Sequence, residues 1–208
     1  MKKIMFNDRY GLTQAVLEGR KTQTRRIAFK RDIDPLIQGI TSESLIAARS
    51  RYKLSETIAI AQKYDDLVKD DEFYRLCGIH GMPLECIKYE KGCTNKMFVR
   101  ADLMPHHIRI TRIRVEHLQD ISVKDCLAEG ICHTDIKGAL WGVAPIKGEG
   151  PLEHAKTIQS LAVVHGHMYS SVRRAYAALI DRISGKGTWD SNPYVFVYDF
   201  ETVSLLNT

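Results

Sequence analysis

Nowhere does this 208-residue chain approach the ~18 consecutive apolar residues that a membrane-spanning helix requires. The apolar start Ile4-Met5-Phe6 stops after three residues, too short for the hydrophobic core of a secretory signal. The five cysteines (Cys77, Cys86, Cys93, Cys126 and Cys132) are odd in number and form no Cys-x-x-Cys pair. Without a secretory signal they read as reduced thiols, so a cytoplasmic protein with no membrane partner is expected. Internal repeats and low-complexity tracts are also missing, which excludes solenoids and propellers. What remains is 44% hydrophobic and 26% charged, ordinary for a globular chain long enough to bury a core. The net charge of +5 admits a polyanionic partner without requiring one.

A local absence is more informative. The run Gly19-Arg20-Lys21-Thr22-Gln23-Thr24-Arg25-Arg26 holds four cations and two hydroxyls and no carboxylate. It follows Leu12-Thr13-Gln14-Ala15-Val16-Leu17-Glu18, whose Leu12 and Val16 share one helical face. Gly19 therefore reads as the left-handed residue that ends a helix, with the run leaving it as extended chain. Donors and hydroxyls at such a corner suit an anion, a nucleotide or a polarised carbonyl. The competing reading is a solvated basic edge strand, whose charges discourage aggregation.

Elsewhere the pattern predicts an α+β chain. Ile4-Met5-Phe6 is a short strand leading to Asn7-Asp8 as a helix cap. Residues 42–48 have helical character, Thr57 to Gln62 reads as a strand buried on both faces, and Tyr64 to Leu76 is acidic and helix-compatible. Residues 63–95 form an irregular excursion, and Met97 to Ala101 resumes as a strand. In His107 to Leu118, Ile108 and Ile110 share one parity while Ile113 and Val115 have the other. A bulge or bend near Thr111-Arg112 is expected. Ser122-Val123-Lys124-Asp125 opens a capped helix that Gly130 ends. Residues 133–168, broken by glycines and prolines, read as an insertion with one short helix over 153–161. An amphipathic helix over Val172 to Ile183, a turn at Gly185-Lys186-Gly187 and a strong strand from Tyr194 to Phe200 close the chain.

Three of these pieces, in this order, carry a family resemblance. They are the strand and helix leading into Gly19–Arg26, then Leu118-Gln119-Asp120-Ile121-Ser122 with Ala128-Glu129-Gly130-Ile131. The last is Trp189-Asp190-Ser191-Asn192-Pro193-Tyr194-Val195-Phe196-Val197, closing on Phe200-Glu201. Together they resemble the ASCH domain in the form carried by many phages and prophages. The resemblance implies one domain over 1–208, a small PUA-like mixed β-barrel with flanking helices. It also implies a cleft lined by the Gly-x-Lys-Thr segment that receives RNA or a modified nucleoside. One branch of the family hydrolyses the amide of N4-acylated cytidines with a Lys, a Thr and a Glu, which fall here on Lys21, Thr24 and Glu129. No cofactor or metal is implied. The chain departs from the family where Ser55-Glu56 replaces a Gly-Asp pair and where the next strand is the plain Ile58-Ala59-Ile60-Ala61. A non-catalytic RNA-binding module is the alternative.

For hydrolysis, Thr24 attacks if Lys21 is neutral enough to take its proton, which from a pKa of ~10.4 requires a drop of ~3 units. Neighbouring Arg20, Arg25 and Arg26 and burial push that way, while an ionised Glu129 pulls back. Glu129 lies at a helix end whose dipole favours its protonated form, able to serve the leaving amine. In a regular strand Lys21 and Thr24 point to opposite faces, so the mechanism demands a turn or bulge between them. Arg20, Thr22, Arg25, Arg26 and Arg112 are candidate phosphate or nucleic-acid contacts, joined by Arg109, Arg114, Arg173, Arg174 and Arg182 where they share the cleft. Trp189 and Tyr194 are either base-stacking or core residues. Cys77, His80, Cys86 and Cys93 are zinc-compatible in type but match no common finger spacing, so thiols packing under a loop are expected. His106-His107 and His165-Gly166-His167 lack a third partner for a metal.

Overall fold

The computed structural model describes residues 1–28, 49–134, 140–143, 169 and 171–204. The strands are β1 (Lys3–Ile4), β2 (Gln23–Ile27), β3 (Thr57–Ile60), β4 (His107–His117), β5 (Ile131–Thr134), β6 (Leu140–Val143) and β7 (Tyr194–Val203). The helices are α1 (Leu12–Leu17), α2 (Asp71–Ile79), α3 (Val123–Ala128), α4 (Val172–Ser184) and α5 (Thr188–Ser191). The fold is α+β. A mixed five-stranded sheet has the order β1-β3-β4-β7-β2, and β5 and β6 form a separate hairpin. Among the described residues no ladder joins the two ends of the five-stranded order, and no helix is long and apolar enough to cross a membrane.

Two compact units divide the chain. The first comprises Met1–Phe6, Ser55–Ile110 and the strand end from Glu201. In it β1 runs parallel to β3 (Lys3 opposite Ala59), and β3 runs antiparallel to β4 (Ala59 opposite His107). Ile58, Ala59, Ile60 and Ala61 are fully buried, as a strand apolar on both faces requires. Asp70 caps α2 by accepting from the Phe73 N–H at 3.1 Å, and Phe73 and Cys77 turn one helical face into the core. Tyr64 stacks on Phe73 with ring centroids 5.5 Å apart.

The expected strand over Met97 to Ala101 is replaced by two 3-10 turns, Lys96–Phe98 and Ala101–Leu103. The cause is local. Asn95 caps the first turn through the Met97 N–H, and the Lys3 ammonium takes the Met97 and Val99 carbonyls at 2.7 and 2.6 Å, leaving them no sheet partner. Of the zinc-compatible set, Cys77 is buried in the core, Cys86 is exposed and the Cys93 thiol donates to Asp65 at 3.2 Å. Among the described residues no three His, Cys, Asp or Glu side chains converge as a metal site would need.

The second unit comprises the described residues of Asn7–Leu54 and Thr111–Phe200. Asn7 does not cap by its side chain. Instead a 3-10 turn, Asp8–Tyr10, leads to Gly11 at φ 63°, and the Asp8 carboxylate accepts from the Thr13 hydroxyl at 2.5 Å. Leu12, Ala15 and Val16 bury one face of α1. Gly19 ends the helix at φ 72°, and the Arg20 and Lys21 amides both donate to the Ala15 carbonyl at 2.9 Å. The chain then enters β2, antiparallel to β7 in a regular register with Gln23 opposite Asp199 and Thr24 opposite Tyr198.

β4 runs unbroken from His107 to His117; Thr111 and Arg112, where the sequence parity switches, are both exposed, and residues 113–117 are all half-buried without alternation. Ser122 caps α3 through the Asp125 N–H at 3.0 Å, and Gly130 leaves it at φ 97°. The stretch expected to be irregular from Cys132 onward begins with the regular β5–β6 hairpin, Ile131 opposite Val143. The expected helices over 42–48 and 153–161, the remainder of the 133–168 insertion and the His165–His167 pair lie outside the described residues.

Candidate functional site

The corner after Gly19 and the end of α3 bring Lys21 and Glu129 together across 108 positions of sequence. Glu129 is the residue after α3, and Gly130 behind it turns the chain at a positive φ of 97° that favours glycine, with Lys21 and Leu12 in ordinary contact distance of the turn. Lys21 Nζ donates to Glu129 Oε2 at 2.5 Å, to the Glu129 carbonyl at 2.9 Å and to the Gln23 carbonyl at 2.8 Å. All three ammonium protons have acceptors, and the side chain is 2% exposed.

Gln23 and Arg25, alternating along β2, add to the same cluster. Gln23 Nε2 donates to Asp125 at 3.0 Å and to Asp199 at 2.5 Å, and its amide oxygen accepts from Arg25 Nη1. Arg25 Nη2 donates to Glu116 at 2.6 Å and lies 3.3 Å from Asp125, while Nη1 reaches Glu129 Oε1 at 3.3 Å. Arg114 of β4 binds Glu116 at 3.0 Å, Asp125 at 3.2 Å and Asp199 at 2.9 Å. Three cations thus meet four carboxylates, a formal excess of one negative charge.

Burial pulls the Lys21 ammonium below the ordinary lysine range, with the Glu129 charge and hydrogen bond opposing it. Burial likewise raises Cys126 to about 11 and holds the Tyr176 phenol well above its ordinary value, the Glu129 carboxylate adding to the latter. For Asp125 burial is outweighed by hydrogen bonds from Gln23 and Ser122 and by Arg114 and Arg25, which keep its carboxyl low.

Thr24 does not join this cluster. Between Gln23 and Arg25 in an unbroken ladder, it alternates to the other face of β2 with its cross-strand partner Tyr198. That face is aromatic: Tyr198 stacks with Phe196 at 6.3 Å and meets Tyr52 edge-on at 5.2 Å. The bulge that would bring Thr24 beside Lys21 is not present in the regular register over Gln23–Ile27.

The other candidate contacts separate by exposure. Thr22, Arg26 and Arg112 are exposed, and Thr22 is fixed by its backbone, donating to the Ala128 carbonyl and accepting from the Phe200 N–H, each at 2.9 Å. Arg20 is half-buried and donates to Glu18 at 2.7 Å. Arg25, at 5% exposure with its guanidinium among three carboxylates, is a cluster residue and presents no free charge to a phosphate. Arg109 pairs with Glu201 at 2.6 Å, and Arg173 holds the Ile121 and Gln119 carbonyls while lying 5.3 Å over the Trp189 ring. Tyr194 stacks on His117 at 3.9 Å.

Sequence reasoning missed Gln23, Glu116, Asp125, Asp199 and Tyr176 as parts of the site. A signal was present for two of them: Gln23 shares its parity with Lys21 and Arg25, and Asp199 interrupts an apolar strand. No family model, curated protein or solved structure gives a significant match to the chain.

Proposed function

We propose that the chain is an ASCH-type protein that binds RNA or a modified nucleoside at the polar cluster around Lys21. The observation that carries this reading is the buried contact of Lys21 with Glu129, two positions 108 residues apart that the family resemblance pairs. The mixed five-stranded sheet with its helices supports a PUA-like barrel as the finer fold. Carboxylate acceptors and guanidinium donors side by side match the mixed donor and acceptor edge of a nucleobase. Arg26 and Arg112 are exposed, and surface guanidinium groups of this kind suit the backbone of an RNA.

Hydrolysis of an N-acyl nucleobase amide is the sharper form of the proposal. In it Lys21, lowered by burial, is the base and Glu129 the acid. The placement of Thr24 on the aromatic face favours the non-catalytic form, because a nucleophile must lie within hydrogen-bond reach of its base.

The test is incubation with N4-acetylcytidine, following amide loss by absorbance and binding by calorimetry, for the wild type and Lys21→Arg. The arginine keeps the charge and removes the titration. Turnover lost in the variant with binding retained supports the hydrolase; binding without turnover supports the module. A wild type that neither turns over nor binds the nucleoside, and shows no salt-dependent RNA binding, refutes both.

A further inference from the structure

Nearly every polar side-chain atom of the Lys21 cluster has a partner, and two donors do not. Among the described residues the Tyr176 hydroxyl and Arg25 Nε make no hydrogen bond, although Tyr176 is 1% exposed and Arg25 5%. Such groups are unfavourable in a folded interior and native proteins keep few of them. Both belong to one neighbourhood. Arg25 spends its two terminal nitrogens on Gln23, Glu116, Asp125 and Glu129. Tyr176, on the buried face of α4, lies close enough to feel the charges of Glu129, Arg25 and Glu116. Its ring meets Trp189 edge-on at 6.2 Å, so packing positions the hydroxyl.

We propose that the Tyr176 hydroxyl and Arg25 Nε are the ligand-reading donors of this site and take a neutral carbonyl oxygen of a nucleobase or of its acyl group. The assignment rests on the reading that the cluster receives a nucleoside. Nε–H is a donor only, and a phenol donates to any strong acceptor, so the missing partner is an acceptor. Charge selects among acceptors. The cluster already carries four carboxylates against three cations, so a phosphate meets net repulsion whereas a carbonyl dipole needs only the two donors.

Tyr176→Phe keeps the ring and its Trp189 contact and removes only the hydroxyl. The experiment measures the variant's melting temperature, and its calorimetric affinity for N4-acetylcytidine and cytidine with inorganic phosphate as competitor. The melting temperature rises by roughly 2–4 °C, because an unpaired buried hydroxyl is gone. Affinity for the nucleosides falls about 10-fold, and phosphate does not displace them. A lower melting temperature means that the hydroxyl is satisfied in the folded protein and overturns the proposal. Unchanged affinity in the variant overturns it while leaving the proposed function standing, and displacement by phosphate overturns the carbonyl. A wild type that binds neither nucleoside removes the assignment together with the function it rests on.

Discussion

Glu129→Met is the substitution that asks most of the Lys21 cluster. It removes the carboxylate from the Lys21 ammonium, 2% exposed, which then faces the carbonyls of Gln23 and residue 129 with Arg25 close by. An uncompensated buried charge of this kind costs about 3–5 kcal/mol. Lys21→Met is milder, about 2–3 kcal/mol, because Glu129 keeps Arg25 Nη1 at 3.3 Å. The double variant leaves neither charge stranded and costs about as much as the milder single one, so the coupling equals the Glu129→Met loss, about 3–5 kcal/mol. Urea unfolding of the four proteins at pH 7 measures this cycle.

A second readout has a definite sign. Burial holds the native Lys21 pKa below its unfolded value near ~10.4, so in the window between them the unfolded chain keeps a proton that the native protein has lost. Stability therefore rises with pH across that window in the wild type, more steeply in Glu129→Met, and without this contribution in Lys21→Met. Additive losses, single losses below about 1 kcal/mol, or the same pH slope in Lys21→Met as in wild type refute a buried, coupled ion pair.

Three further outcomes are expected. Ser55 is exposed and sits at φ 61°, a left-handed position that costs a side-chain-bearing residue more than glycine, so Ser55→Gly raises stability by about 0.5–1 kcal/mol in denaturant unfolding. A Cβ at Gly92 falls 2.6 Å from Tyr64 Cε2 inside a packed core, so Gly92→Ala lowers stability by about 1–3 kcal/mol, and a loss near zero shows that the ring gives way. Of the five thiols Cys86, which is exposed, reacts first with a disulfide reagent at pH 8, whereas Cys126, buried and raised to about 11, reacts only on unfolding; early modification of Cys126 contradicts its burial.

Local pattern and long-range packing divide the chain between them. The left-handed Gly19 corner, the Ser122 cap, the helix from Val172 and the strand from Tyr194 were legible because each depends on a few neighbouring residues: a glycine without a Cβ, a hydroxyl reaching an amide three positions on, or an apolar period. Met97 to Ala101 has strand composition but folds as 3-10 turns, because the Lys3 ammonium, 94 and 96 positions away, takes the carbonyls that a ladder would use. Thr24 followed the simplest sequence rule, strand alternation, which places it across β2 from Gln23 and Arg25.

Neighbouring residues alone dictate that a glycine corner launches an extended run of cations and polar residues that holds no carboxylate of its own. Which charges those cations meet is set by packing, because the carboxylates around Lys21 and Arg25 come from Glu116, Asp125 and Glu129. Charge acts through space and is strongest where water is excluded, so its balance is fixed by which distant residues share an interior and cannot be read from neighbours along the chain.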